Sequence, residues 1–275
     1  MIDIISEKMY LVQKGQIKLL KFKALDNLEY INHTVSTRCG GVSSKDGLES
    51  LNLGTYTADS IENVRENYRL FCSFAGYDEK RLVLGNQTHS LNVRYATSAD
   101  SGKGIFLERD YTDVDALITD EKNLPLVIHT ADCVPVSFID TKLKVIGAAH
   151  CGWRGTIGEL SRKTIEAMIN KFGTNPEDIV STVGPCICQM CYEVSEDLYN
   201  DFVNKFGESC ALIKKDLSYY IDLAMINKQI LIKCGVKEDN IIVSDLCTCC
   251  NTDILYSHRG QGSKRGIFAS VLEIN

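Results

Sequence analysis

From Leu126 to Thr156 the chain reads LVIHTADCVPVSFIDTKLKVIGAAHCGWRGT, and no other stretch narrows the fold as much. Three apolar runs, Pro125 to Ile128, Val134 to Ile139 and Lys144 to Ala149, are four to six residues long and rich in Val and Ile. Runs that short, bounded by polar corners, suit buried strands rather than helices. Reactive side chains stand at the corners: His129, Asp132 and Cys133 after the first run, His150 and Cys151 after the third. Strand ends that face a shared cleft hold such groups on rigid backbone, so this stretch is the candidate active site.

At 275 residues the chain can bury a sizeable core without disulfides. Hydrophobic residues make up 44% and charged residues 24%, the balance of an ordinary globular protein. A net charge of -6 argues against a nucleic-acid partner read through its phosphates. No apolar run approaches the ~18 residues of a membrane span, and the acidic start MIDIISEKMYLVQKG is not a secretory signal. The cytoplasm is the expected compartment. Twelve cysteines in such a chain read as reduced thiols, a few of them metal ligands.

Along the chain, Tyr10 to Phe22 predicts a hairpin turning at Lys14-Gly15. Thr34 to Gly54, with glycines at 40, 41, 47 and 54, predicts a long loop, of a length that is usually functional or disordered. Ser60 caps a predicted helix with Val64, Tyr68, Phe71 and Ala75 inward. Arg81 to Leu84 and Leu91 to Thr97 are strand candidates flanking the corner that holds Gln87 and His89. Thr156 to Glu159 has the form of a capping box opening a helix that Gly173 closes. Two more helices are expected over Ser195 to Phe206 and Asp222 to Cys234, with strands at Ile179 to Val183, Ile241 to Val243 and Ile267 to Ile274. No repeat or linker divides the chain. The expectation is one domain over residues 1–275, mixed α and β, strand-rich in front with helix-strand alternation behind.

The chemistry begins with Cys133 and His150, 17 residues apart at two strand ends. Catalytic zinc takes three nitrogen or thiolate ligands and keeps one position open. His89 or His129 would complete a His-His-Cys set, and a cysteine packed as a small hydrophobe is the plainer alternative. Asp132 stands beside Cys133, where it could orient a ligand or move a proton. Arg38 beside Gly40-Gly41, and Arg154 before a helix N-terminus, are candidate anion seats. Arg38 is equally readable as a solvated arginine on a glycine-rich surface turn, and the alternative for Arg154 is a structural ion pair with its stem packed on Trp153. Cys186, Cys188 and Cys191, with Cys247, Cys249 and Cys250, read as reduced structural thiols; a second metal or an iron–sulfur centre is the alternative.

Several segments together resemble the YfiH-like family, variously labelled multicopper polyphenol oxidase, laccase-domain protein, peptidoglycan editing factor and purine nucleoside phosphorylase. They are Thr37 to Ser43 (TRCGGVS), Asn52-Leu53-Gly54, Gln87-Thr88-His89, Asp115 to Thr119 (DALIT), Thr130 to Pro135 (TADCVP) and His150 to Thr156 (HCGWRGT). Gly184-Pro185, Cys191 to Val194 (CYEV) and Ser257-His258-Arg259 complete the set, in order from about residue 34 to the C-terminus. The resemblance implies a single-domain layered α/β sandwich of mixed sheets flanked by helices. It implies zinc on His89, Cys133 and His150, with Cys133, Asp132 and His150 catalytic. Arg38, Asn52, Gln87 and Arg154 then become candidate contacts to substrate or phosphate. The sequence departs from the family pattern at Asn67-Tyr68, where Asn-Arg is usual. Lys264-Arg265-Gly266 replaces the usual Gly-Arg near the end.

The function so implied is phosphorolysis of adenosine, inosine and methylthioadenosine, with hydrolytic deamination of adenosine. Purine nucleoside and phosphate are its small-molecule partners. A copper phenol oxidase needs a trinuclear cluster built of imidazoles. With His89 and His150 used, only His33, His129 and His258 remain, too few for it. Copper is therefore the less favoured metal. Two further alternatives are a thiol hydrolase of cell-wall precursors, with Cys133 as nucleophile and His150 as base, and a non-enzymatic metal-binding partner protein.

Overall fold

The computed structural model describes residues 2–4, 6–213 and 217–275. The Val- and Ile-rich runs of the central stretch become strands Leu126–Thr130, Val134–Asp140 and Val145–Cys151, every residue of the last two outside the corners being buried or nearly so. They do not share one sheet. Leu126–Thr130 joins a seven-stranded sheet in the order Ile2–Ile4, Met9–Lys14, Ile17–Phe22, Ile31–Ser36, Phe268–Ile274, Leu126–Thr130, Val83–Leu84. The other two form an antiparallel pair inside a six-stranded sheet, in the order Ile241–Val243, Ile179–Val183, Val134–Asp140, Val145–Cys151, Ala116–Thr119, Val93–Tyr95. A small third sheet, Glu193–Val194, Tyr219–Ile221 and Ala211–Ile213, lies beside them.

The strand pleat explains how the layers stack, since successive side chains point to opposite faces. Leu126 and Ile128 of one sheet meet Leu117, Ile146 and Ala148 of the other in a shared core. Between them on the first strand, Val127 points outward and packs with Val271 and with Val64, Tyr68 and Phe71 of helix Ile61–Ala75. Ile118, Val136, Phe138 and Ala149 of the second sheet face the opposite way, onto helices Leu160–Phe172, Glu196–Phe206 and Leu223–Lys233. Helix, sheet, sheet and helices thus form successive layers, the expected mixed α/β sandwich. No helix among the described residues is long and apolar enough to cross a membrane.

Three local expectations change. The loop predicted from Thr34 starts at Thr37, because Thr34, Val35 and Ser36 complete a strand paired with Phe268–Ile274. Only Val83 and Leu84 of the run from Arg81 are strand, since Glu79–Arg81 is a 3-10 turn capped by Asp78. Thr156 caps nothing: it lies inside the short helix Trp153–Ile157, donating to the Cys151 carbonyl and accepting from Asn227 Nδ2. Glu159, in left-handed conformation at φ 56°, starts the helix Leu160–Phe172 instead and pairs with Arg162 and Lys205.

One polar group sits between the sheets. His33 Nε2 lies 3.2 Å from both Ser270 Oγ and Ser137 Oγ, one hydroxyl from each sheet. Burial, with a smaller push from Lys21, lowers its pKa from 6.5 to about 3, so the ring stays neutral. A folded-state pKa below the unfolded one gives stability that is complete above about pH 6.5 and is lost as pH falls toward 3. The loss should run at about 1.4 kcal/mol per pH unit for this one histidine. Urea unfolding at pH 7, 6 and 5 should therefore show a shallower pH dependence in His33→Gln than in the parent. Parallel curves would reject the assignment.

Candidate active site

The antiparallel hairpin Val134–Asp140/Val145–Cys151 pairs Cys151 with Val134 and His150 with Pro135. Cys133, one residue before the first strand, therefore lies beside His150 at the end of the second. His89 arrives from the corner between Val83–Leu84 and Val93–Tyr95. One ligand atom from each of His89, Cys133 and His150 lies within 4.8 Å of the others, and Cys133 Sγ to His89 Nε2 is 3.9 Å. Two imidazole nitrogens and a thiolate at this separation can hold one metal ion and leave a coordination position open. Gly152 forms the floor: a Cβ there would stand 2.9 Å from Cys133 Sγ and 2.9 Å from the His89 ring.

A single carboxylate organises two of these three residues. Asp115, fully buried, receives the backbone N–H groups of Thr88, His89 and Ser90 at 3.0, 3.1 and 2.8 Å, and the Ser90 hydroxyl at 2.9 Å. Successive N–H groups aimed at one anion make a nest, which accounts for His89 adopting φ 64°. Asp115 Oδ1 also lies 2.9 Å from His150 Nδ1. A proton held on Nδ1 leaves the Nε2 lone pair free as a ligand. Burial alone would raise the Asp115 carboxyl, but His150 and the loop N–H groups outweigh it and hold the pKa below the usual range. Burial also opposes ionisation of Cys133, yet His150 and His89 bring its thiol down to about 6. His150, against its own burial, rises to about 9 beside Cys133 and Asp115. Near neutral pH the site without metal is thus a thiolate beside an imidazolium, and a metal ion bound at Nε2 would displace the second imidazole proton.

His129, the other candidate third ligand, is not in this group. It is buried with Nε2 against the Tyr68 hydroxyl, and burial lowers its pKa to about 3. Tyr68 is thus the partner of a structural histidine.

The remaining predicted contacts are placed as follows. Asp132 borders the cleft, but both its oxygens are engaged: Thr248 Oγ1 and Ser257 Oγ donate to Oδ1, and the Arg259 N–H donates to Oδ2. Three of the carboxylate's four acceptor sites are thus engaged, and Asp132 ties Thr248, Ser257 and Arg259 together. Arg38 lies outside the cleft. Its Nε and Nη1 donate to the carbonyls of Glu49 and Thr252, and its guanidinium stacks over Tyr256. Asn52 is buried within its own loop, bonding Thr57, Asp59 and the N–H groups of Gly54 and Ile267. Gln87 pairs with both backbone groups of His129, extending the strand edge. Arg154 is exposed and stacked on Trp153, its carbon 4.0 Å from the ring centroid.

The cleft, about 360 Å³, is lined by His89, Asp132 and Cys133 together with Trp153, Ile187, Tyr192, His258, Arg259 and Arg265. Arg259 donates to the carbonyls of Cys191 and Glu193, so it braces the wall. Arg265 differs: its Nε is buried and has no hydrogen-bond partner among the described residues. The Lys264-Arg265-Gly266 triplet, where the sequence departs from the usual Gly-Arg, is its sequence signal.

A second set of thiols converges elsewhere. Cys188, Cys191, Cys247 and Cys250 have sulfurs all within 4.8 Å of one another. The two cysteine groups, read as reduced structural thiols with a second metal as the alternative, thus meet in one cluster. Their signal is a pair of C-x-x-C steps, masked in the sequence by Cys186 and Cys249, which interrupt each group.

The chain is similar to known proteins over most of its length. The family described as multi-copper polyphenol oxidoreductase laccase matches residues 32–275. The purine nucleoside phosphorylase YlmD of Bacillus subtilis is 35% identical over 244 residues, 86% of each chain. Adenosine deaminase RL5, from an unknown prokaryotic organism, is 29% identical over 91% of this chain and 96% of its own. The crystal structure of the Bacillus licheniformis hypothetical protein YfiH superposes with a TM-score of 0.87 at 28% identity, covering 100% of this chain and 99% of that one. With that match running from the fourth strand through every residue of the cleft, the chain belongs to the multi-copper polyphenol oxidoreductase laccase family, the YfiH-like proteins.

Proposed function

We propose that the protein is a zinc-dependent purine nucleoside phosphorylase, acting on inosine, adenosine and methylthioadenosine, that also deaminates adenosine. The observation that carries this reading is the convergence of His89, Cys133 and His150 at a cleft that His89, Cys133 and Arg265 line together. The relatives named as phosphorylase and deaminase support the substrate class.

Zinc, bound by those three side chains, supplies a Lewis acid with an open position. Asp115 keeps the proton on His150 Nδ1 and fixes the His89 loop, so both imidazoles present a fixed nitrogen to the ligand position. Trp153, Tyr192 and Ile187 give the cleft flat and apolar walls suited to a purine ring. Arg265 offers a guanidinium to phosphate. In phosphorolysis a phosphate oxygen attacks the ribose anomeric carbon while the bond to the base breaks, giving ribose 1-phosphate and protonated base. In deamination water adds at the amino-bearing ring carbon and ammonia leaves.

Copper oxidation of phenols is disfavoured by the histidines. His33 is committed between the sheets and His129 to Tyr68, so beyond His89 and His150 only His258 lines the cleft, too few imidazoles among the described residues for a trinuclear copper cluster. The thiol-hydrolase reading is the second one, favoured by the Cys133 thiolate lying against His150. Incubation of zinc-loaded protein with inosine or adenosine, with and without phosphate, separates them. Free base and ribose 1-phosphate are expected only with phosphate, and ammonia from adenosine without it. A zinc-loaded protein releasing none of the three would end the proposal and move the hydrolase forward.

A further inference from the structure

Strands Ile179–Val183 and Ile241–Val243 are parallel neighbours, pairing Val183 with Val243. Each therefore releases its chain at the same end of the sheet. The two loops stay together: Cys186 and Cys247 form a parallel bridge, and the Thr248 N–H donates to the Cys186 carbonyl at 3.0 Å. Each loop then supplies one C-x-x-C step, Cys188 with Cys191 and Cys247 with Cys250. Two such steps brought face to face are the usual ligand set of a closed structural zinc site.

The distances fit that chemistry. Zinc–sulfur bonds of about 2.3 Å at tetrahedral angles put sulfurs roughly 3.8 Å apart. Here all four lie within 4.8 Å, and Cys191 Sγ is 3.5 Å from Cys250 Sγ. A disulfide needs its sulfurs at about 2.05 Å, and all four cysteines are free thiols. An iron–sulfur cluster would have to fit irons and sulfides between them, and sulfurs this close leave room for one ion. The Cys188 N–H points at Cys247 Sγ from 3.2 Å, a donor that stabilises thiolate.

We propose that Cys188, Cys191, Cys247 and Cys250 bind a second zinc ion, a closed four-thiolate site that staples the two loops forming one wall of the catalytic cleft. Binding exchanges thiol protons for the metal and transfers no electrons. The staple reaches the cleft through its immediate neighbours. Tyr192, next to Cys191, lines it, and the Cys191 carbonyl receives Arg259 Nη1 at 2.9 Å. Thr248, next to Cys247, donates to Asp132 at 2.6 Å. Cys186 and Cys249 stand outside the set, Cys186 buried in the core beneath the second sheet.

The test counts zinc in full-length protein purified without added metal. Parent and Cys249→Ser should hold about two zinc per chain, Cys133→Ser and Cys191→Ser about one each. The one ion left in Cys133→Ser should survive with its four thiols protected from iodoacetamide until a mercurial expels it. Should Cys191→Ser fail to fold, that protection pattern in Cys133→Ser carries the test alone. Cobalt-loaded Cys133→Ser should show the intense sulfur-to-cobalt absorption of a tetrathiolate site. Zinc-free Cys133→Ser protein, or one whose four loop thiols alkylate freely without a mercurial, would overturn the proposal, as would Cys191→Ser keeping two zinc per chain. Failure of the nucleoside assay would leave these counts unaffected.

Discussion

Cys133→Ser protein is expected to keep the four-layer sandwich while losing the catalytic zinc and all measurable phosphorolysis and deamination. A serine hydroxyl stays protonated near neutral pH and is a poor zinc ligand, whereas the Cys133 thiol is drawn down to about 6 by its two histidine neighbours. The fold does not depend on that bond, because Cys133 lies at a strand end outside the apolar contacts that join the sheets. Asp115→Asn makes the graded comparison. The amide keeps the shape, but it lacks the charge that receives three backbone N–H groups and His150 Nδ1. Loss of such a supporting acceptor usually lowers metal affinity about 10–100-fold. Its amide hydrogens also face the donors of the nest, which should cost about 1–3 kcal/mol of stability. Chelator competition measures the first effect and thermal unfolding the second. Asp115→Asn binding zinc as tightly as the parent would remove Asp115 from the account of the site.

What could be read from residues alone follows the physics of each signal. The Val- and Ile-rich runs declared themselves because a buried strand imposes its pattern on every residue along it. Cys133 and His150 were legible for the same reason, as polar residues at the ends of such runs. Asp115 was not, although it stands immediately before the strand Ala116–Thr119. Its partners lie some 25 residues earlier and 35 later, so local spacing carries no trace of them. Arg38 and Asn52 are bound up with backbone groups. Their loop has carbonyls and N–H groups with no ladder partners, and buried backbone groups must be satisfied. The glycine-rich composition that suggested an anion seat instead marks a loop whose polar side chains hold its own backbone.

Arg265→Ala should then raise the phosphate concentration needed for half-maximal phosphorolysis by roughly ten- to a hundred-fold, the loss of about 1.5–3 kcal/mol expected for one charge-assisted hydrogen bond. Its guanidinium is the one in the cleft with a buried nitrogen that no described group accepts from, and leaving such a donor unsatisfied is costly unless an anion arrives to pair with it. Zinc content should not change, because Arg265 is not among the ligands. Deamination of adenosine, which consumes water rather than phosphate, should fall far less than phosphorolysis. That split distinguishes a phosphate contact from general damage to the cleft. Arg38→Ala is the informative contrast. It removes two hydrogen bonds to loop carbonyls and the stack on Tyr256, so it should lower the melting temperature and leave the phosphate requirement near that of the parent. If Arg38→Ala raised the phosphate requirement and Arg265→Ala did not, the anion would sit on the glycine-rich loop, and the cleft as drawn would be the wrong half of the site.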